Sequence, residues 1–179
     1  MFVQTEITPN PNSLKFLPGK VVSNRGSFEI TEKNETDNEL VRNLLGINGV
    51  ESIFLGKDFI SLNKYDHIEW EEIKHIAISL INDFYKSGIN CVIDQIIEED
   101  PVNLEEIEKK IVKILEQKIR PAVAKDGGDI KFKEFKDGIV KVQLQGSCSG
   151  CPSSTMTLKQ GVQNLLCHYI PEVKQVEAI

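Results

Sequence analysis

Apolar residues recur at helical spacing in three long stretches of the chain. Ile73, Ile76, Ala77, Leu80, Ile81 and Phe84 fall on one side of a helix predicted over Trp70–Tyr85. Leu104, Ile107, Ile111, Ile114, Leu115 and Ile119 do the same in a helix running from Leu104 to about Lys125, with Glu and Lys on the opposite face. Asn103 is its expected N-cap, with Glu106 three residues later. Pro121 is expected to kink the last turn, and Asp126-Gly127-Gly128-Asp129 to end it. Met156, Leu158, Val162, Leu165 and Leu166 supply the apolar positions of a third helix over Pro152–Tyr169. It starts on a proline and is stopped by Pro171. A shorter helix is predicted over Asn38–Leu45, ending at Gly46.

Alternation of period two marks the strands. Ile130–Phe135 alternates apolar and charged residues and slips at Glu134-Phe135. Ile139–Leu144 resumes the pattern after Lys136-Asp137-Gly138, a hairpin signal. Val50–Leu55 and Phe59–Leu62 flank a second hairpin turn, Gly56-Lys57-Asp58. Ser13–Leu17 and Ser27–Ile30 are short strand candidates, Ile89–Ile97 has strand-like composition, and Glu172–Glu177 is expected to form a last strand. The class implied is α+β, in two small α+β domains. The C-terminal one has the order helix, hairpin, Cys loop, helix, short strand. The acidic run at 98–100 followed by Pro101 and Asn103 is the seam, which sets the domains at residues 1–98 and 103–179.

Charge reinforces the division. Residues 1–100 carry 9 Lys and Arg against 17 Asp and Glu, a net of −8, and residues 101–179 carry 12 against 10, a net of +2, within the chain's total of −6. Phosphate binding needs a concentrated basic face, so nucleic acid is not an expected partner. No apolar run exceeds three residues, far from the roughly 20 that a membrane-spanning helix needs. The opening MFVQTEITPN lacks a secretory or transit-peptide pattern, so the protein is expected to stay in the compartment where it is made, a reducing cytosol by default. Four cysteines in 179 residues are too few for a disulfide-built scaffold.

Cys148-Ser-Gly-Cys151 is the sharpest chemical signal. Two thiols two residues apart can hold one metal centre or form one disulfide. The loop runs from a predicted strand into a predicted helix, whose positive end and free N–H groups favour thiolates. Gly146 and Gly150 allow tight turns beside the sulfurs. Structural zinc takes four ligands and most iron–sulfur clusters take four cysteines, whereas one pair supplies two. Cys167 and His168 lie near the far end of the next helix, roughly 20 Å or more away. Ligand number therefore predicts a metal or cluster bridging two chains, each giving Cys148 and Cys151, with the motif at the surface. Two alternatives stay open at this point: a thiol–disulfide redox protein using the pair, and a zinc-bridged structural dimer.

Ile119-Arg-Pro-Ala-Val-Ala-Lys-Asp-Gly-Gly-Asp-Ile130 and Leu144-Gln-Gly-Ser-Cys-Ser-Gly-Cys-Pro-Ser-Ser-Thr-Met-Thr-Leu158 closely resemble the NifU-like C-terminal domain. Gln4–Pro18, Gly46-Ile-Asn-Gly-Val50 and Lys57-Asp-Phe-Ile60 resemble the Nfu N-terminal domain, in the same domain order. The resemblance implies a non-enzymatic Nfu-type iron–sulfur cluster scaffold or carrier. Such a protein holds a cluster, most often [4Fe–4S] with [2Fe–2S] as the alternative, between the cysteine pairs of two subunits. It receives the cluster from upstream assembly proteins and passes it to apo iron–sulfur client proteins. The family's cysteines correspond to Cys148 and Cys151, and the acidic N-terminal domain is expected to be an interaction module. Eukaryotic members of the family carry a mitochondrial presequence, so the resemblance implies a cytoplasmic, bacterial protein, or a mitochondrial matrix protein whose presequence has been removed.

The remaining conspicuous residues have plainer expected roles. Cys91 and Cys167 read as small packed hydrophobes. His67 and His75 read as surface residues, and Trp70 as a packing anchor. Thr8-Pro-Asn-Pro-Asn12 reads as a pre-ordered turn with a possible contact role for clients.

Overall fold

The structure, a computed structural model, describes residues 2–24, 26–89, 92, 104–150 and 152–179. The chain forms two compact units, residues 1–97 and 98–179. Both combine helices with a sheet, so the fold is α+β.

In the first unit β1 (Gln4–Ile7), β2 (Ser13–Leu17), β3 (Phe28–Ile30), β4 (Val50–Leu55) and β5 (Ile60–Lys64) form one antiparallel sheet in the order β1-β2-β5-β4-β3. The register explains the core. Phe28, Leu55, Ile60 and Phe16 stand opposite one another across four strands, and so do Ile30, Ile53, Leu62 and Leu14. These two apolar rows lie on one face, as period-two alternation requires. Helices α1 (Glu39–Leu45) and α2 (Trp70–Lys86) supply Leu40, Val41, Leu44, Ile73, Ala77 and Ile81 to the same core. Asn38 caps α1 by accepting a hydrogen bond from the Val41 N–H at 3.1 Å. Trp70 anchors the Thr8–Asn12 turn through its indole N–H, which donates to the Pro11 carbonyl at 3.0 Å.

Two differences from the sequence pattern appear here. Ile76, expected on the buried side of α2, is half exposed, and Tyr85 is buried in its place, its hydroxyl donating to the Val21 carbonyl. A 3.6-residue period lets the buried stripe drift around a helix of this length, and Ile73, Ala77, Ile81 and Tyr85 at strict four-residue spacing follow that drift. The strand-like stretch Ile89–Ile97 lies outside the described residues apart from Ile89 and Val92. Val92 is buried, and its N–H donates to the Val22 carbonyl.

The second unit opens with α3 (Glu106–Ile114), whose N-cap is Glu105; the expected cap, Asn103, lies outside the described residues. Glu105 and Glu108 form a reciprocal capping box, the Glu105 N–H donating to Glu108 Oε2 at 2.9 Å. The helix continues through a π-helical segment (Leu115–Ile119) into α4 (Arg120–Lys125). Pro121 accounts for this break: it offers no N–H to the Gln117 carbonyl, and its ring crowds the preceding turn. The Arg120 N–H reaches back five residues to the Leu115 carbonyl. The expected kink is thus an expanded turn placed before the proline.

Gly127, at φ 83°, ends α4 and opens the antiparallel hairpin of β6 (Gly128–Lys136) and β7 (Ile139–Gly146). Asp137 and Gly138, at φ 52° and 81°, form its turn. The slip read at Glu134-Phe135 is a β-bulge between Phe132 and Glu134, which returns Phe135 to the apolar face. Helix α5 (Pro152–Tyr169) then crosses over, and β8 (Gln175–Ala178) pairs parallel with β7. The sheet order is β6-β7-β8. Ile111, Leu115, Val123, Ile130, Val140, Val142, Val162 and Leu166 are the centre of this core. Met156, expected among the apolar core positions of α5, is instead 74% exposed. Val162 and Leu166 set the buried stripe, and residue 156 lies away from it.

Candidate functional site

The Cys148 loop is the point at which β7 hands over to α5. Gly146 and Gly150 adopt φ 67° and 76°, the left-handed conformation that glycine tolerates best. The turn between them is held by its serines. Ser149 accounts for two bonds to the Gly146 carbonyl, from its N–H at 3.1 Å and its hydroxyl at 2.8 Å. The Ser147 hydroxyl donates to the Asp126 carbonyl, and the Ser147 N–H to the Gly127 carbonyl at 3.3 Å. Thr155, in the first turns of α5, donates to the Cys148 carbonyl at 3.1 Å. The loop is therefore tied both to the α4–β6 turn and to the helix that follows it.

Cys148 is only 6% exposed, which corrects the expectation of a surface thiol. The cause lies at Gly128. A Cβ built there would stand 2.7 Å from the Cys148 sulfur and 2.5 Å from the Gln145 carbonyl oxygen. The missing side chain leaves a notch, and Cys148 Sγ occupies it. Burial pushes the thiol up to about 11, helped by the negative charges of Asp126 and Asp129 and opposed by the Ser147 hydroxyl. Cys148 faces inward in this geometry, and its burial favours the thiol over the thiolate expected at a helix N-terminus. Cys151 lies outside the described residues.

One buried ion pair underpins the loop. Asp129 accepts a two-pronged pair of bonds from Arg120, at 2.9 Å from Nε and 2.8 Å from Nη2, and a third from the Ile130 N–H at 2.8 Å. Its side chain is 7% exposed, against 36% for Arg120. The pair clamps the start of α4 to the first residues of β6, beside the notch. No spacing rule would have found it, because its partners belong to different elements nine residues apart. The Asp126-Gly-Gly-Asp129 stretch does form the helix-to-strand turn read from sequence. Its second glycine additionally shapes the cysteine's seat.

The other candidate residues lie elsewhere. Cys167 is half-buried against the second core, near the C-terminal end of α5. That unbroken helix of 18 residues is about 27 Å long, so Cys167 cannot reach the Cys148 loop of its own chain. His67 and His75 are exposed. Cys91 lies outside the described residues. Among the described residues no three His, Cys, Asp or Glu side chains converge on a common point. Cys148 is a soft sulfur donor suited to iron or zinc, but to fill a four-ligand centre it needs partners from beyond this group.

Comparison with known proteins adds independent information. Residues 3–88 match the family described as scaffold protein Nfu/NifU N terminal, and residues 111–177 match the NifU-like domain. A human protein named NFU1 iron-sulfur cluster scaffold homolog, mitochondrial, is 44% identical over 187 residues, covering 100% of this chain and 72% of that protein. The protein of the same name from Drosophila ananassae is 44% identical over 184 residues, and the chain spans 64% of its length. A solved NifU-like protein from Saccharomyces cerevisiae is 28% identical, with a TM-score of 0.47, over 52% of this chain and 85% of that one.

Proposed function

The chain belongs to the NFU1 family of iron–sulfur cluster scaffolds, and from that membership we propose that it carries a [4Fe–4S] cluster as cargo between two copies, each contributing Cys148 and Cys151, and delivers it to apo-proteins. The observation that carries this reading is the shortage of ligands among the described residues of one chain. The cysteine pair supplies two, and the other described thiol lies at the far end of α5. A second copy supplies the other two of the four thiolates that such clusters take.

A shared cluster suits delivery. Thiolates of a client replace those of the carrier one at a time, each new iron–sulfur bond forming as an old one breaks, with no net change in electron count. The carrier needs neither a general base nor a substrate cavity for this. Cys148 must turn out of its notch to meet the cluster, and its proton passes to solvent as the sulfur bonds to iron. On release the thiol regains its seat.

The acidic first unit is assigned the task of choosing clients and upstream donors. Deleting residues 1–97 should leave cluster loading intact and change delivery. The human and fly relatives are named as mitochondrial, and a mitochondrial home for this chain fits those names better than the bacterial cytoplasm. Family membership gives no support to the thiol–disulfide or zinc readings.

The test is the iron, acid-labile sulfide and zinc content of protein purified and reconstituted without oxygen. About four irons and four sulfides per dimer are expected. Stoichiometric zinc with no iron would favour the structural dimer. No metal at all would favour the redox dithiol.

A further inference from the structure

The exposed side of α5 plays no part in the loop chemistry, and its composition is unusual for this chain. The helix holds 18 residues with a single Lys and no Asp, Glu or Arg, in a protein that is 27% charged. Its solvent side presents Met156, Thr157, Gln160, Gly161, Asn164 and His168. The exposed sides of α2 and α3, by contrast, carry Glu71, Glu72, Asp83, Lys109, Lys110 and Lys113. Met156 stands 74% exposed in the second turn, close to the cysteine loop. Gly161 has nothing within 4 Å of a Cβ built upon it, so open space lies above the backbone at mid-helix. A glycine there costs the helix about 1 kcal/mol relative to alanine, and no internal contact accounts for it. Gln160 and Asn164 bond to each other along the helix at 3.1 Å, which orders the polar part of the face.

Loss of charge around an adaptable methionine is the composition of an interface core. We propose that this face, bounded by Met156 on one side and Gly161 on the other with Gln160 and Asn164 between them, is the surface on which a second copy of the chain sits in the cluster-loaded dimer. The inference rests on the bridging reading given above and supplies its contact surface. A two-fold axis that brings two cysteine pairs to one cluster also brings together the starts of two α5 helices. A two-fold interface must complement itself, because the same patch meets its own copy. A charged face cannot do so without placing like charges together, whereas an uncharged one can. Gly161 lets the partner backbone approach, and Met156 fills the gap nearest the cluster.

The experiment uses the full chain, loaded anaerobically with ferrous iron and sulfide, with molar mass measured by light scattering across a dilution series. Wild type, Met156→Lys, Gly161→Gln and Cys148→Ser are compared, with melting temperatures of the metal-free forms as a folding control. Neither Met156 nor Gly161 is packed inside its own chain, so metal-free Met156→Lys should melt with wild type and metal-free Gly161→Gln slightly above it, because a helix-interior glycine is removed. The loaded dimers of Met156→Lys and Gly161→Gln are expected to dissociate at least about tenfold more readily than wild type. Wild type remaining monomeric on loading, like Cys148→Ser, would overturn both this inference and the bridging reading. A wild-type dimer matched in strength by both variants would overturn the α5 assignment alone. Variants that dimerise normally but fail to pass the cluster to an apo-protein would give the face to clients and overturn the second copy as its occupant.

Discussion

Replacing Gly128 by alanine adds one methyl group at the tightest point of the Cys148 seat. Its Cβ would meet the Gln145 carbonyl oxygen at 2.5 Å and the Cys148 sulfur at 2.7 Å. The two obstacles yield differently. The carbonyl belongs to the β6–β7 ladder, where Gly128 pairs with Gly146 and Asp129 with Gln145, so relieving it means distorting the hairpin. The sulfur stands at the end of a single rotatable bond and can swing out. Inserting a carbon into a filled site costs about 1–3 kcal/mol. The variant should therefore lose about that much in a urea titration of the metal-free protein. It should also release Cys148 from a site that holds its thiol at about 11. At pH 8 a thiol returned to the ordinary value of 9.0 has on the order of a hundredfold more thiolate, and alkylation of the Cys148 peptide by iodoacetamide should accelerate accordingly. Gly127→Ala is the contrasting control. Gly127 sits at φ 83°, so alanine there strains the backbone by about 1–2 kcal/mol without entering the notch. A Gly128→Ala protein with unchanged stability and an unchanged Cys148 alkylation rate would refute the notch as the cause of burial.

Three further outcomes follow from the same geometry. Cys148→Ser and Cys151→Ser should each abolish iron loading, read by iron content and absorbance, while Cys167→Ser keeps its colour; a colourless Cys167→Ser protein would break the ligand assignment. Because burial raises the Cys148 thiol above its unfolded value of 9.0 to about 11, the folded state retains a proton that the unfolded state gives up between those values. Stability is unaffected at pH 7 and falls by about 3 kcal/mol as pH climbs through that window, so the urea-midpoint difference between wild type and Cys148→Ala should shift against wild type from pH 8 to 10.5. Arg120→Met leaves the buried Asp129 carboxylate without its guanidinium and should cost about 1–3 kcal/mol in a urea titration, less than a fully buried pair because Arg120 is a third exposed.

Sequence periodicity and the structure agree best where packing on one face decides. The α2, α5 and β6–β7 elements repeat apolar residues at 3.6 or 2 positions, and their ends carry proline, glycine or a capping carboxylate. Even the bulge was visible as a slipped alternation at Glu134-Phe135. β1 was not, because Gln4-Thr-Glu-Ile7 is an edge strand that buries none of its side chains and so leaves no alternation to read. Burial of Cys148 was invisible for another reason. The local sequence describes a helix N-terminus, which favours an exposed thiolate, but the notch that captures the sulfur is made by Gly128, twenty positions upstream on the neighbouring strand. The Arg120–Asp129 clamp is equally non-local. Met156 was misplaced because an apolar residue near a buried stripe looks the same in sequence whether it faces a core or a partner.

The π-helical segment at Leu115–Ile119 acts as a phase corrector. At 100° per residue, Val123 would lie about 120° around an unbroken α-helix from Ile111, out of line with the core. A turn that takes in one extra residue without adding its rotation brings Val123 back to about 20°. Ile111 and Val123, on either side of the break, accordingly meet the same sheet. Straightening the segment at constant residue count would swing everything after it by about 100°, carrying Arg120 away from Asp129 and the Gly127-Gly128 corner away from the cysteine, whereas deleting one residue would straighten the helix and keep Val123 about 20° from Ile111. The residue count upstream of Pro121 thus sets the aim of a sulfur nearly thirty positions later, and a one-residue insertion there should be tolerated far less well than a one-residue deletion, which only returns the segment to a regular α-helix.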